Sequence, residues 1–371
     1  MVEWKNLGDL GVFENIGTDK KTVEGERLVT LLNYVDVYHH KYINRDIPQM
    51  IVSASDKKIA SCTVEQGDIF VTPSSETIDD IGHSAVITET IPNAVYSYHI
   101  MRYRLFEKNM LLSYYVNYLF DTEDVKKQIL KKAQGLTRFG LSKDKFASIQ
   151  IPVPSIAEQT RIVGILDTFT ASIENLKQQI AQRRKQYEHY RDQLLDLEGK
   201  EGVEMKMSDF CSLKAGKSVS AKEITDYENG RYACYGGNGI RGYVSYYSHE
   251  GDYPIIGRQG ALCGCVCWAT DKFYATEHAV VVTGKEFMSH RFLFYMLQNA
   301  NLNQYKTQGA QPGLSVTKLN EVRFFIPSLP EQQRIVSILD TFEASIANLE
   351  QQLAQRERQY EYYRNKLLMF E

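Results

Sequence analysis

From residue 162 the apolar positions recur in alternating steps of four and three: Ile162, Leu166, Phe169, Ile173, Leu176 and Ile180, then Arg183, then Tyr187, Tyr190 and Leu194. This is the heptad rhythm of a coiled coil. It returns as Ile335, Leu339, Phe342, Ile346, Leu349 and Leu353, then Arg356, then Tyr360, Tyr363 and Leu367. Even the polar interruption keeps its seam position. Pro154-Ser155 and Pro327-Ser328, followed by Glu158 and Glu331, give a capping-box spacing at each start. After those glutamates no proline and almost no glycine intervenes through Leu195 or Leu368. Two long helices are predicted, each on the order of 55 Å. A single apolar stripe also suits a helix lying on its own domain, but these helices are too long for that, and each seam is the other's natural partner.

The two patterns are copies. EQTRIVGILDTF begins at Glu158 and EQQRIVSILDTF at Glu331, 173 positions later. From Pro154 and Pro327 onward about two-thirds of some forty positions are identical, which marks an internal repeat. The likeness extends upstream, pairing Gly140-Leu141-Ser142 with Gly313-Leu314-Ser315 and Lys145 with Lys318. With a one-residue gap, Gln134-Gly135 also matches Gln308-Gly309. Each repeat is thus a variable body followed by a constant tail. The first helix hands the chain through DLEGKEGVE to the second body, so a compact pairing runs the second helix back antiparallel. The expected architecture is two heads in a pseudo-twofold arrangement, separated by two long antiparallel coiled-coil helices. Its parts would be a first head at 1–153, a helix and linker at 154–202, a second head at 203–326 and a second helix at 327–371.

Alternating apolar runs and turn residues predict an α+β body in each head. In the first, GDIFVTPSS and HSAVIT read as strands and 107–132 as helical; in the second, YPIIGRQGALCGCVCWA and EHAVVVTG precede a helical 289–303.

Composition narrows the function classes. A chain of 371 residues exceeds one ordinary core, and 43% hydrophobic with 24% charged residues is a globular balance. A formal net charge of −3 announces no nucleic-acid partner, so any such role needs local patches or a more basic associate. No run approaches the roughly 18 uncharged apolar residues of a membrane span, and MVEWKNLGDL lacks a signal-peptide core. A cytoplasmic protein without membrane contact is expected. Six cysteines, three of them in CGCVC, suggest reduced thiols rather than a disulfide framework.

Several motif-like strings carry little chemistry. Gly237-Asn238-Gly239-Ile240-Arg241-Gly242 matches the dinucleotide fingerprint but leads into strand-like YVSYY, without the helix whose N-terminus would hold phosphate. Gly216-Lys217-Ser218 resembles a P-loop fragment, yet the earlier glycine position holds Cys211. Cys263, Cys265 and Cys267 are expected on one face of a strand and lack the second pair that zinc sites need, so no metal is expected. His39, His40 and His278 have no companion carboxylate or nucleophile at informative spacing.

The loops favour recognition over catalysis. Thr72, Ser74, Ser75 and Glu76 follow a strand in the first body, where Lys57 and Arg138 are further candidates. In the second, Asn238, Arg241, Arg258 and Gln259 sit among glycine hinges, and Lys306, Gln308 and Gln311 occupy another polar loop. Arginine, asparagine, glutamine and glutamate have the geometry to read guanine, adenine and cytosine edges. Ordinary solvated loops have the same composition, so both readings stay open here.

The organisation closely resembles the specificity subunit of type I restriction-modification systems over nearly the whole chain. Pro154, Glu158, Gln159 and Ile162, repeated as Pro327, Glu331, Gln332 and Ile335, resemble that family's conserved-region signature. YGGNGIRGY and GRQGALCG are similar to its target-recognition phrases, and DIFVTPSSET to a different class of them. The resemblance implies a non-catalytic protein whose heads each read half of an asymmetric bipartite site in double-stranded DNA. It implies helices that set the gap and dock two methyltransferase subunits, with restriction subunits joining the full complex. No cofactor would be bound directly: S-adenosylmethionine for adenine N6 methylation and ATP for translocation would belong to the partners. The chain contains no Asn-Pro-Pro-Tyr or Asp-Pro-Pro-Tyr motif and no complete P-loop. The competing expectations are a head that methylates or cleaves DNA itself, and a scaffold that binds proteins through its helices.

Overall fold

The two predicted helices form as Ile156–Leu195 and Leu329–Leu368. The computed structural model describes residues 2–107, 109–198, 200–227, 231–260, 262–307 and 312–370. The chain divides into one unit of Met1–Asn175 with Gln352–Glu371 and another of Leu176–Gln351. Each unit therefore holds one head, the beginning of the long helix leaving it and the end of the other.

In the first unit a five-stranded sheet runs Gly11–Glu14, Met101–Leu105, Ile69–Val71, Ser84–Ile87, Tyr42–Ile43. A three-stranded sheet runs Met50–Ala54, Arg27–Leu32, Ala94–Tyr96. Leu31, Phe70, Ile87 and Tyr96 fill one buried cluster, and Tyr103, Tyr115 and Phe146 belong to another with the helix Ser113–Leu119. Glu3–Asn6 pairs antiparallel with Gln150–Val153, directly before the long helix.

The second unit holds a sheet of Cys211–Ala215, Ala279–Gly284, Tyr253–Gly257, Val266–Ala269 and another of Gly239–Val244, Tyr232–Gly236, Lys272–Ala275, His249–Glu250. Here Val203–Lys206 pairs with Arg323–Ile326 in the same role. Helix His290–Asn299 starts at Ser289, whose hydroxyl accepts from the Phe292 N–H at 3.3 Å.

The repeated Glu-Gln explains how each helix is joined to its head. Gln159 is fully buried; its Oε1 accepts from Leu112 N–H at 2.9 Å, and its Nε2 donates to Met110 O at 3.0 Å and Pro154 O at 2.8 Å. Gln332 repeats this with Ser289 N–H at 2.9 Å, Phe287 O at 3.1 Å and Pro327 O at 3.0 Å. Two turns further on, Asp167 accepts from Tyr118 Oη at 2.6 Å and from Tyr42 Oη, and Asp340 accepts from Tyr295 Oη at 2.5 Å and Arg291 Nε at 2.8 Å. Burial, followed by the carboxylate contact among other influences, holds the Tyr118 and Tyr295 hydroxyls well above the usual phenol range. Ile162, Leu166, Ile335 and Leu339 close the apolar side of the same junctions.

The helices are antiparallel within each unit. In the first, Phe169 stacks on Tyr363 with centroids 5.4 Å apart, and the Arg356 guanidinium lies 5.7 Å from the Phe169 centroid. In the second, Phe342 stacks on Tyr190 at 5.3 Å, with Arg183 at 5.8 Å. The polar seam position is thus a cation held over an aromatic face.

Two expectations need correction, and the seam shows a gradation. At the first helix start, Ser155 Oγ accepts from Glu158 N–H at 3.3 Å, but the Glu158 carboxylate takes two hydrogen bonds from Arg161 rather than closing a capping box. Glu331 does the same with Arg334, and both carboxylates are held below their ordinary range by these partners. Seam burial is graded: Ile162, Leu166, Ile180, Ile335 and Leu339 are buried, whereas Phe169, Ile173, Leu176, Tyr187, Leu194, Phe342, Ile346, Leu349, Leu353, Tyr360 and Leu367 are half-buried. A two-helix pair covers only one side of each helix; Ile162, Leu166, Ile335 and Leu339 are fully buried because a head core adds a second wall, whereas Ile180 is buried at mid-helix outside both head cores. Finally, only Cys267 lies in the strand Val266–Ala269; Cys263 and Cys265 are in the preceding turn, with Cys263 buried against Asn303.

Candidate nucleic-acid interface

In the first head, the strand Ile69–Val71 leads into Thr72-Pro73 and then the short pair Ser74–Ser75. Ser74–Ser75 pairs antiparallel with Phe139–Gly140, and Leu141 N–H donates to Pro73 O at 2.9 Å. This places the loop at 134–140 beside the loop at 72–77. Ser74, Ser75, Glu76 and Arg138 line a groove of about 340 Å³ together with Tyr34, Thr77, Asp80 and His99. Arg138 Nη2 donates to Ser74 Oγ at 3.4 Å. Burial, then Lys20 and Arg138, hold the His99 imidazole below its ordinary pKa, while burial raises the Tyr34 hydroxyl.

Two candidates fall away from this groove. Thr72 is fully buried, with its hydroxyl 3.5 Å from the carbonyls of Asp80 and His83, so it supports the loop from beneath. Lys57 lies on the short helix Asp56–Ser61, after an edge strand of the other sheet, and is not among the residues lining the groove. Conversely, Tyr34 and His99 were not legible as groove residues. They come from separate turns of chain, and no periodicity or spacing links them to residue 74.

The second head builds its loops at the same topological place. After Tyr253–Gly257, Arg258 O accepts from Leu314 N–H at 2.8 Å, and Gln259 bridges Gly313. These positions answer to Pro73 and Ser74, which meet Leu141 and Gly140 in the first head. Gly237-Asn238 forms the turn between Tyr232–Gly236 and Gly239–Val244, and Gly239 has φ +84°. A Cβ on Gly237 would stand 2.6 Å from Gln259 O, and one on Gly257 would stand 1.9 Å from Gly237 O. Gly237 of the apparent fingerprint and Gly257 opposite it therefore permit backbone to lie on backbone. Gly216 has a similar explanation, since a Cβ there would meet Ala275 O at 2.0 Å.

Asn238, Arg241 and Gln259 are exposed around this junction and Arg258 is half-exposed. Lys306 is exposed near it and donates to Asn303 Oδ1 at 2.8 Å. Gln308 and Gln311 lie outside the described residues. His278 does have a carboxylate neighbour, Glu277 at 3.4 Å, and its carbonyl accepts from Arg258 N–H at 2.9 Å. Among the described residues no cluster of His, Cys, Asp and Glu is arranged to hold a metal, and no helix is long and apolar enough to cross a membrane.

The sequence matches the family described as Type I restriction modification DNA specificity domain over residues 1–183 and again over 200–358. It is 38% identical over 315 residues to the type I restriction enzyme EcoprrI specificity subunit of Escherichia coli, covering 79% of this chain and 77% of that protein. Its fold resembles the crystal structure of a type I restriction-modification S subunit from M. genitalium, with TM-score 0.66, 16% identity and coverage of 100% and 97% of the two chains. The HsdS subunit from Thermoanaerobacter tengcongensis aligns with TM-score 0.52, 16% identity and coverage of 99% and 96%. At such identities the structural likeness speaks for the fold alone. With a specificity-domain match in each half and a close relative along most of its length, the chain belongs to the type I restriction-modification specificity subunit family.

Proposed function

We propose that each head reads one half of an asymmetric bipartite DNA target through its loop junction. The observation that carries this is the contrast between two equivalent places: at the helix attachments Gln159 and Asp167 recur as Gln332 and Asp340 with the same pattern of hydrogen bonds, while the loops after Ile69–Val71 and Tyr253–Gly257 present different side chains. Ser74, Ser75, Glu76 and Arg138 would serve the first half-site, and Asn238, Arg241, Arg258, Gln259 and Lys306 the second. Bases are distinguished by such edge contacts, whereas affinity comes largely from phosphate neutralisation, which a chain of net charge −3 can leave in part to its partners.

The paired helices would hold the half-site gap and offer an equivalent docking surface to each of two methyltransferase subunits. The protein itself would be non-catalytic. S-adenosylmethionine and ATP would be used by the methyltransferase and restriction subunits.

Genome-wide mapping of N6-methyladenine tests the reading, using a methyl-free host that expresses this chain with its neighbouring methyltransferase subunit. The expected result is an asymmetric bipartite motif with a fixed gap, absent when the methyltransferase is expressed alone. Arg258→Ala should relax one half-site only, since a good bidentate base contact contributes about 1–3 kcal/mol of discrimination. Equal weakening of both half-sites would make Arg258 a structural or phosphate contact.

A further inference from the structure

The loop at 134–140 is closed at its base by reciprocal backbone hydrogen bonds, Gln134 N–H to Gly140 O at 3.0 Å and Gly140 N–H to Gln134 O at 2.8 Å. Gly135 has φ +143°, and a Cβ there would lie 2.0 Å from Arg138 O, so the tip is also folded tightly on its own backbone. At that tip Leu136 is 96% exposed, more than any other large apolar side chain among the described residues. It stands two residues from Arg138, which lines the polar groove with Ser74, Ser75 and Glu76. A surface loop gains nothing within its own fold from an isobutyl group held wholly in water.

We propose that Leu136 is a specificity-determining residue that packs against a thymine C5-methyl in the half-site read by the first head. The inference rests on the DNA-reading function above. It follows from what a duplex presents: the major groove is lined by donors and acceptors, and its apolar feature is the thymine methyl. Adenine methylation requires an A·T pair within the half-site, so at least one such methyl is available. The clamped backbone presents the side chain without first having to order it, and Arg138, two residues along the same loop, with Glu76 of the groove that Arg138 lines, supplies polar readout for neighbouring pairs.

The test is equilibrium binding of the complex between the full chain and its methyltransferase subunit to duplexes carrying the mapped target. Deoxyuridine replaces each thymidine of the first half-site in turn, removing one methyl group. Parent complex should bind about fourfold more weakly at one position, the factor expected for one buried methyl-sized group. Leu136→Ala should weaken binding roughly tenfold to the unmodified duplex and erase the uracil penalty at that position, with second half-site changes felt equally by both proteins. Leu136→Met should restore most of the affinity. Three outcomes overturn the assignment: parental affinity in Leu136→Ala, a uracil penalty that persists in it, or weakened binding with no uracil-sensitive position, which would indicate a wedge between bases. If the parent complex does not distinguish the mapped duplex from unrelated DNA, the DNA-reading function itself fails.

Discussion

Truncating Gln332 should loosen the second head's grip on its helix. The amide is fully buried and serves three backbone groups: Ser289 N–H, Phe287 O and Pro327 O. Gln332→Ala strands all three, and leaving a buried polar group unsatisfied costs about 1–3 kcal/mol. Some of that returns as water enters the space, so a loss of roughly 3–4 kcal/mol is expected. Gln332→Glu is the sharper probe. It keeps the acceptor facing Ser289 N–H but turns a carboxylate oxygen toward two carbonyls, which raises its folded-state pKa. Its destabilisation should be full near neutral pH and ease as pH falls through that raised value, when protonation restores one donor. The chain has two tryptophans, Trp4 in the first unit and Trp268 in the second, and Trp268 packs on Phe294 of the helix that Ser289 begins. In a Trp4→Phe background, Trp268 fluorescence during urea unfolding therefore reports the affected unit. A loss below about 1 kcal/mol for Gln332→Ala, or a glutamate variant as stable as the parent at neutral pH, would refute this account of the junction.

Phe169→Ala removes the ring between Tyr363 and Arg356, and should lower stability by about 2 kcal/mol through lost area, stacking and cation–π contact; thermal unfolding of the parent and variant checks it. His99 is held below its ordinary value of 6.5, so at neutral pH it is uncharged, and its contribution to stability is full above about pH 6.5 and declines as pH falls through the depressed folded value. A DNA phosphate brought near it would raise that pKa, so affinity should increase as pH drops from 7.5 toward 6, and a His99→Gln complex with the same pH slope in a binding titration would exclude the linkage. Thiol labelling of the folded protein at pH 8 should modify Cys265 well ahead of Cys62, Cys211, Cys234 and Cys263, which are buried, and of Cys267, whose pKa burial pushes up to about 11; mass mapping of the adducts decides it.

The helices were legible because their information is periodic and written twice. Ten seam positions per copy at heptad spacing specify a long helix and its partner without reference to the heads. The strands around Ile69 and Val280 were legible for a related reason, as short apolar runs bounded by turn residues. What could not be read was convergence. Tyr34, at the start of the short helix Tyr34–His39, and His99 reach the groove because the parallel-paired strands Arg27–Leu32 and Ala94–Tyr96 deliver the chain there, and the local sequence holds no record of that neighbourhood. Thr72 shows the reverse error: a hydroxyl in a polar, loop-like string points inward because it immediately follows a fully buried strand. The triple cysteine failed because alternation implies one face only while the backbone stays extended, and Gly264 at φ +94° turns the chain within CGCVC.

The repeat also lets the chain serve as its own comparison. Residues identical 173 positions apart include Gln159 and Gln332, Asp167 and Asp340, Phe169 and Phe342, and Arg183 and Arg356. Each pair makes the same kind of contact in its own unit, either fastening helix to head or helix to helix. By contrast, Pro73 and Arg258, and Ser74 and Gln259, hold equivalent backbone positions with unlike side chains. An exposed position whose backbone is retained while its side chain is free to change contributes nothing to the attachment, so its side chain can diverge without loosening the junction. On the proposed function this separation is the useful property of the design. A head can exchange its readout at 73–76 or 258–259 while the buried glutamine and aspartate keep the helix, and hence the partner docking surface, in place. The converse also holds: a substitution at Gln159 or Asp167 would disturb how a half-site is presented without changing which bases are chemically preferred. Methylation maps of such variants should therefore show lower occupancy of the parental motif rather than a new one.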